Sequence, residues 1–124
     1  MSTEPRTVTL ATSDHGNVTL PEPSWCRGHA DHRPDTDRVD LAHDGHEHHL
    51  THNGERLWTA LIGQSPYASR PEHRGVGVYV TQEGYERTLD PAGLYDLAAS
   101  LDAHADQLRG LADQLARILA GGGQ

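Results

Sequence analysis

The chain has 124 residues, enough for one domain and little more. Its formal net charge of −8 argues against a nucleic-acid backbone as the main ligand, because binding phosphates takes clustered cations. The single cysteine, Cys26, excludes an intramolecular disulfide, and no stretch approaches the roughly 18 apolar residues of a membrane span. With 35% hydrophobic residues and no Phe, the apolar core must be thin, and a metal or a partner chain is expected to help hold it. Met1 to Thr7 lacks the apolar run of a secretory leader, so a reduced, cytoplasmic compartment is expected.

In chain order, residues 1–6 read as a flexible lead and residues 7–89 as mostly β, interrupted by a loop over 21–38. Thr7-Val8-Thr9-Leu10 and Val18-Thr19-Leu20 alternate about a polar turn, which predicts a hairpin burying Val8, Leu10, Val18 and Leu20. Pro21 and Pro23 end that pairing. Alternation returns over 39–43 and 48–52, with Asp44-Gly45-His46-Glu47 as the expected turn between two strands. Asn53-Gly54 suits a type I′ turn, since both residues tolerate positive φ. It leads into a strand over 55–62, a loop over 63–75, and a meander carrying Val76, Val78 and Val80, then Tyr85, Arg87 and Leu89.

Asp90-Pro91 starts a helix, with a carboxylate to cap it and a proline where no N–H is needed. The helix is expected over 91–120, before Gly121-Gly122-Gly123 and a flexible tail over 121–124. Leucines recur in steps of three and four, with His104 filling the one gap. The fold class is therefore α+β: an N-terminal hairpin, an antiparallel meander and one long C-terminal amphipathic helix. About 29 residues at about 1.5 Å each make a helix longer than a small sheet can cover. Leu94, Leu97 and Leu101 are expected to pack within the subunit, and Leu108, Leu111, Leu115, Ile118 and Leu119 to form a homodimer seam, with a further protein partner as an alternative.

Ten histidines are the compositional outlier, and six lie between His29 and His49. Cys26 and His29 make a Cys-x-x-His pair on a turn that Gly28 eases, and zinc favours thiolate and imidazole. If 39–43 and 48–52 form a hairpin, His43 and His48 face each other on its apolar side. The expected zinc ligands are accordingly Cys26, His29, His43 and His48, with Glu22 or His32 as replacements. Solvated polar surface is the competing reading of a histidine-rich loop, and a metal buffer holding several weak ions is another. For catalysis, Cys26 with His29 resembles a dyad, and Glu22 or Glu47 can stand as the base of a zinc hydrolase. No third orienting residue and no phosphate loop accompany them, so no catalytic residue is assigned and a non-enzymatic zinc-stabilised binding or regulatory module is the leading reading.

Three runs carry a resemblance: Thr7-Val8-Thr9-Leu10 with Pro21-Glu22-Pro23-Ser24-Trp25-Cys26 and His29, then Asp40-Leu41-Ala42-His43-Asp44-Gly45, then Leu89-Asp90-Pro91-Ala92-Gly93-Leu94-Tyr95. They resemble a family of small actinobacterial proteins, a domain of unknown function, from about Thr7 to Ala120. The family implies no activity. Similar proteins carry a further Cys four residues before the Cys-x-x-His, which looks like a zinc knuckle; here Glu22 stands at that position.

Overall fold

A computed structural model describes residues 6–121. The expected lead and tail therefore fall, but for residues 6 and 121, outside the described residues. The architecture is α+β, as the periodicities require, and consists of two antiparallel sheets and a long helix.

The hairpin pairs β1 (Thr7–Thr12) with β2 (Gly16–Pro21). Leu10 and Leu20 are its buried residues, with Val8 and Val18 partly covered beside them. The Thr12 hydroxyl closes the turn, donating to the Gly16 carbonyl and accepting from the His15 N–H. The loop that follows wraps the hairpin: Ser13 N–H bonds the Thr36 carbonyl, the Asp14 carboxylate accepts from Arg38 N–H, and the His32 ring bonds the Ala11 carbonyl. Leu41 then inserts between Leu10 and Leu20.

That insertion overturns the expected strand over 39–43. Arg38–Asp40 is a short 3-10 turn, and β3 is only His43–Asp44. Nor do β3 and β4 (His48–His52) form a hairpin with each other. Both pair antiparallel with β5 (Glu55–Gln64). Gly63 pairs with Asp44 of β3 and also with Gly77 of β6 (Gly77–Gln82), while Ala60 pairs with His48 and also with Val80. A strand has only two edges, so β3 and β4 share one edge of β5 and β6 takes the other. Residues 45–47 are a bulge in a single interrupted strand, with Gly45 N–H still bonded to the Ile62 carbonyl at 2.7 Å. Gly45 suits this close approach, because a Cβ would lie 3.3 Å from the Ile62 carbonyl oxygen and the backbone would have to give by a few tenths of an ångström. The β4–β5 turn is the expected Asn53-Gly54, with φ of 50° and 79°.

The ladder ends where Glu83 N–H bonds the Leu57 carbonyl, so residues 85–89 are not the expected strand. Tyr85 instead stands edge-on to His52, and Arg87 pairs with Glu55.

The helix, α1, is Pro91–Leu119. Asp90 caps it by accepting from Gly93 N–H at 2.8 Å, and Gly121 follows its end at φ 88°. Its seven-residue rows part company. His104, Leu111 and Ile118 face the sheet and are buried, the last two against Trp25, Cys26, Ala60 and Ile62. Leu94 and Leu101, on the neighbouring row, are exposed by 56% and 44%. This largely reverses the expected division of the helix: Leu94 and Leu101 are exposed and Leu97 is half-buried, while Leu111 and Ile118 of the expected seam form the subunit core and Leu108 packs against it. Only Leu119 of that set is largely exposed, and Leu115 is half-buried. The reason lies in the sheet. Ala60 and Ile62, with Val78 beside them, form an apolar strip, and the last turns of the helix supply the matching apolar side chains. No described helix is long and apolar enough to cross a membrane.

Candidate metal centre

Three backbone features bring distant residues to one point. Pro21 and Pro23 keep the chain extended past the hairpin, and Glu22 N–H still bonds the Arg6 carbonyl, which fixes the carboxylate at the hairpin's open end. The chain then turns at Trp25 and Cys26, with Cys26 N–H bonded to the Pro23 carbonyl. Arg27 N–H bonds the Asp44 carbonyl at 3.0 Å, which lays this turn against β3 and its His43. Gly28, at φ 101°, redirects the chain so that His29 comes back toward Cys26.

One ligand atom each from Glu22, Cys26, His29 and His43 lies within 4.8 Å of all the others. Cys26 Sγ and His29 Nε2 are 3.6 Å apart, and Glu22 Oε1 lies 3.0 Å from His29 Nε2 and 2.8 Å from His43 Nδ1. With zinc bonds of about 2.3 Å to sulfur and about 2.0–2.1 Å to nitrogen, a tetrahedron separates sulfur from nitrogen by about 3.6 Å. The cysteine–histidine edge already has that length. The carboxylate contacts are a few tenths shorter than the corresponding edge, as expected of charge and hydrogen-bond contacts with nothing between the groups.

The nitrogen of His43 is informative. His43 is 2% exposed, and its buried Nδ1 lies 2.8 Å from Glu22. Its close polar neighbour is therefore the Glu22 carboxylate, a second metal-ligand group. The Trp25 ring stands edge-on to His43 at 6.2 Å and closes the apolar side. Burial, helped by the neighbouring His29, holds the His43 imidazole below its ordinary range, against the charge and hydrogen bond of Glu22 and a hydrogen bond to the Pro21 backbone. It is therefore poised neutral, the form in which imidazole ligates. Burial also pushes the Cys26 thiol up, with the Glu22 charge adding to it and the Gly28 and Asp44 backbone acting the other way. An elevated thiol is a poor nucleophile, but a cation at the cluster would reverse that shift by attracting the thiolate. Thiolate plus carboxylate supply two negative charges to two neutral imidazoles, which matches a divalent ion. The Glu/Cys/His/His group can hold a metal ion.

The sequence of this domain matches the Domain of unknown function DUF6907 over residues 7–117, nearly its whole length. The chain belongs to the DUF6907 family. Comparison with curated proteins and with solved structures finds no match. The family match thus covers all four residues of the cluster and attaches no activity to them.

Of the ligands expected from sequence, the fold unites Cys26, His29 and His43 and leaves out His48. His48 is half-buried in β4 opposite Ala60, along the same edge of β5 as His43. Four to five residues at about 3.3 Å each put it well beyond ligand reach. The expected opposition of the two histidines depended on a hairpin that the bulge replaces. His32 is engaged with the Ala11 carbonyl, and Glu47 with Arg27 and His49. Glu22 takes the fourth position. Its signal was its place four residues before Cys26, between two prolines.

Proposed function

We propose that this chain is a non-enzymatic module held together by one structural zinc ion bound by Glu22, Cys26, His29 and His43, and that it acts through protein contacts. The observation carrying this reading is the convergence of four unlike donors, from β2's end, the following loop and β3, around the buried His43. Four protein ligands fill a tetrahedron and leave no position for a substrate water, which favours a structural over a hydrolytic site. The raised, buried thiol also speaks against Cys26 as a nucleophile. Protein purified without a histidine tag should contain about one zinc per chain, and a chelator should lower its melting temperature markedly. Sub-stoichiometric metal with unchanged melting would remove the proposal. Several equivalents bound without a change in melting would point to a metal buffer, and rapid stoichiometric alkylation of native Cys26 to a nucleophile.

The partner we propose is a second copy of the chain, seated on the exposed half of the helix. Leu94 and Leu101 are exposed and stand seven residues apart beside the buried row, the spacing at which one helix receives another. A depression lined by residues 85–89 with Leu94 and Leu97 opens at the start of the helix, where Tyr95 is also largely exposed, so the same end offers a hollow and a free aromatic side chain to a two-fold contact. Sedimentation should show a dimer at micromolar concentration that Leu101→Asp returns to a 13.5 kDa monomer. A wild-type monomer would dismiss this partner and leave the metal site standing.

A further inference from the structure

The two sheets share no strand pairing, and each has its own apolar cluster: Leu10, Leu20 and Leu41 under the hairpin, and Trp25, Cys26, Ala60, Ile62, Leu111 and Ile118 between the second sheet and the helix. The four donors are divided between these bodies. Glu22 is the direct continuation of β2, and His29 belongs to the loop that wraps the hairpin. Cys26 is a member of the helix–sheet cluster, and His43 is the first residue of β3. Tyr67, from the loop after β5, packs on the hairpin cluster and lies under the Arg38 guanidinium.

From this division we infer that the metal is a latch: binding docks the hairpin lobe onto the helix–sheet body, and loss of the metal releases the lobe while the body stays folded. The inference rests on the zinc reading above and adds what metal occupancy controls. Without the ion, the joint consists of a carboxylate facing two imidazoles, with the Cys26 thiol beside one of them. That joint is far weaker than four metal bonds, and the three buried leucines of the lobe form too small a cluster to hold it by themselves. Once released, the two-stranded hairpin keeps only Leu10, Leu20 and Leu41 to hold it, and its ladder opens.

Hydrogen exchange on the full chain, zinc-loaded and then chelated, tests the latch, with metal content measured on the same samples. Amides of Leu10, Val18 and Leu20 should lose protection by about tenfold or more on chelation, while those of Ala60, Ile62 and Leu111 change by less than about twofold. Glu22→Ala, which leaves three protein ligands, should exchange between the two states with zinc present. Zinc retention with uniform loss of protection, or with none, would overturn the latch and leave the zinc site intact. A Glu22→Ala lobe as protected as wild type would also overturn it. If the wild type retains no zinc, both the site and the latch are wrong.

Discussion

The hairpin lobe and the helix–sheet body use the same kind of strand in different ways. In the hairpin, alternation alone places Leu10 and Leu20 inward, and one residue from elsewhere, Leu41, completes the cluster. In the body, a ten-residue strand carries neighbours on both edges, and the helix covers Ala60 and Ile62 with Leu111 and Ile118. The first is local and small. The second draws on Trp25 and Cys26, β5, β6 and the helix. Stability should therefore be unevenly shared, and each substitution should report on the side it touches.

The largest effects sharpen this contrast directly. Leu111→Ala removes a side chain 4% exposed from the larger cluster and should cost about 2–5 kcal/mol, lowering the global transition by chemical denaturation. Leu41→Ala removes an equally buried leucine from the smaller cluster. Its cost should be of the same order at the hairpin, yet the helix signal by circular dichroism should melt nearly as in the wild type. If both variants shift the helix transition equally, the two clusters are one cooperative unit and the contrast fails.

An intermediate effect concerns pH in chelator. Burial lowers the His43 pKa, so below about 6.5 the unfolded chain takes up a proton that the folded chain resists. The stability this group contributes is full above about pH 6.5 and is lost as pH falls from there toward its lowered folded value. Burial raises the Cys26 pKa, so its contribution is full below about 8.5 and is lost as pH rises further. Metal-free protein should thus melt lower at both pH 5.5 and pH 9.5 than at pH 7.5. Zinc-loaded protein should lose the alkaline branch, because the ion takes the thiolate. An alkaline loss that persists at full zinc occupancy would exclude Cys26 as a ligand.

The smallest effect lies at the free end of the helix. Asp90→Ala deletes the cap to Gly93 N–H and should cost about 1 kcal/mol. Since Leu94 and Tyr95 beside it are exposed, the loss should appear as fraying of the first turn in exchange experiments rather than as a large shift in melting.

The hairpin, the Asn53-Gly54 turn and both ends of the helix were legible in the residues, because each is decided within a few positions: alternation, two positive-φ residues, a cap before a proline, a run of glycines. So was the Cys26–His29 pair, for the same reason. What the sequence left open is long-range. The partition of Asp44 to Glu47 between turn and bulge depends on β5 being long enough to accept β3 and β4 along one edge, and that choice separates His43 from His48. Whether Glu22 or a histidine completes the cluster depends on how the open end of the hairpin meets β3. Which helix row is buried depends on where the apolar strip of the sheet lies. A periodic pattern fixes the face of a helix or strand within its own element, but the partner for that face, and the donors that meet across an interface, are set only when separate elements compete for the same apolar surface.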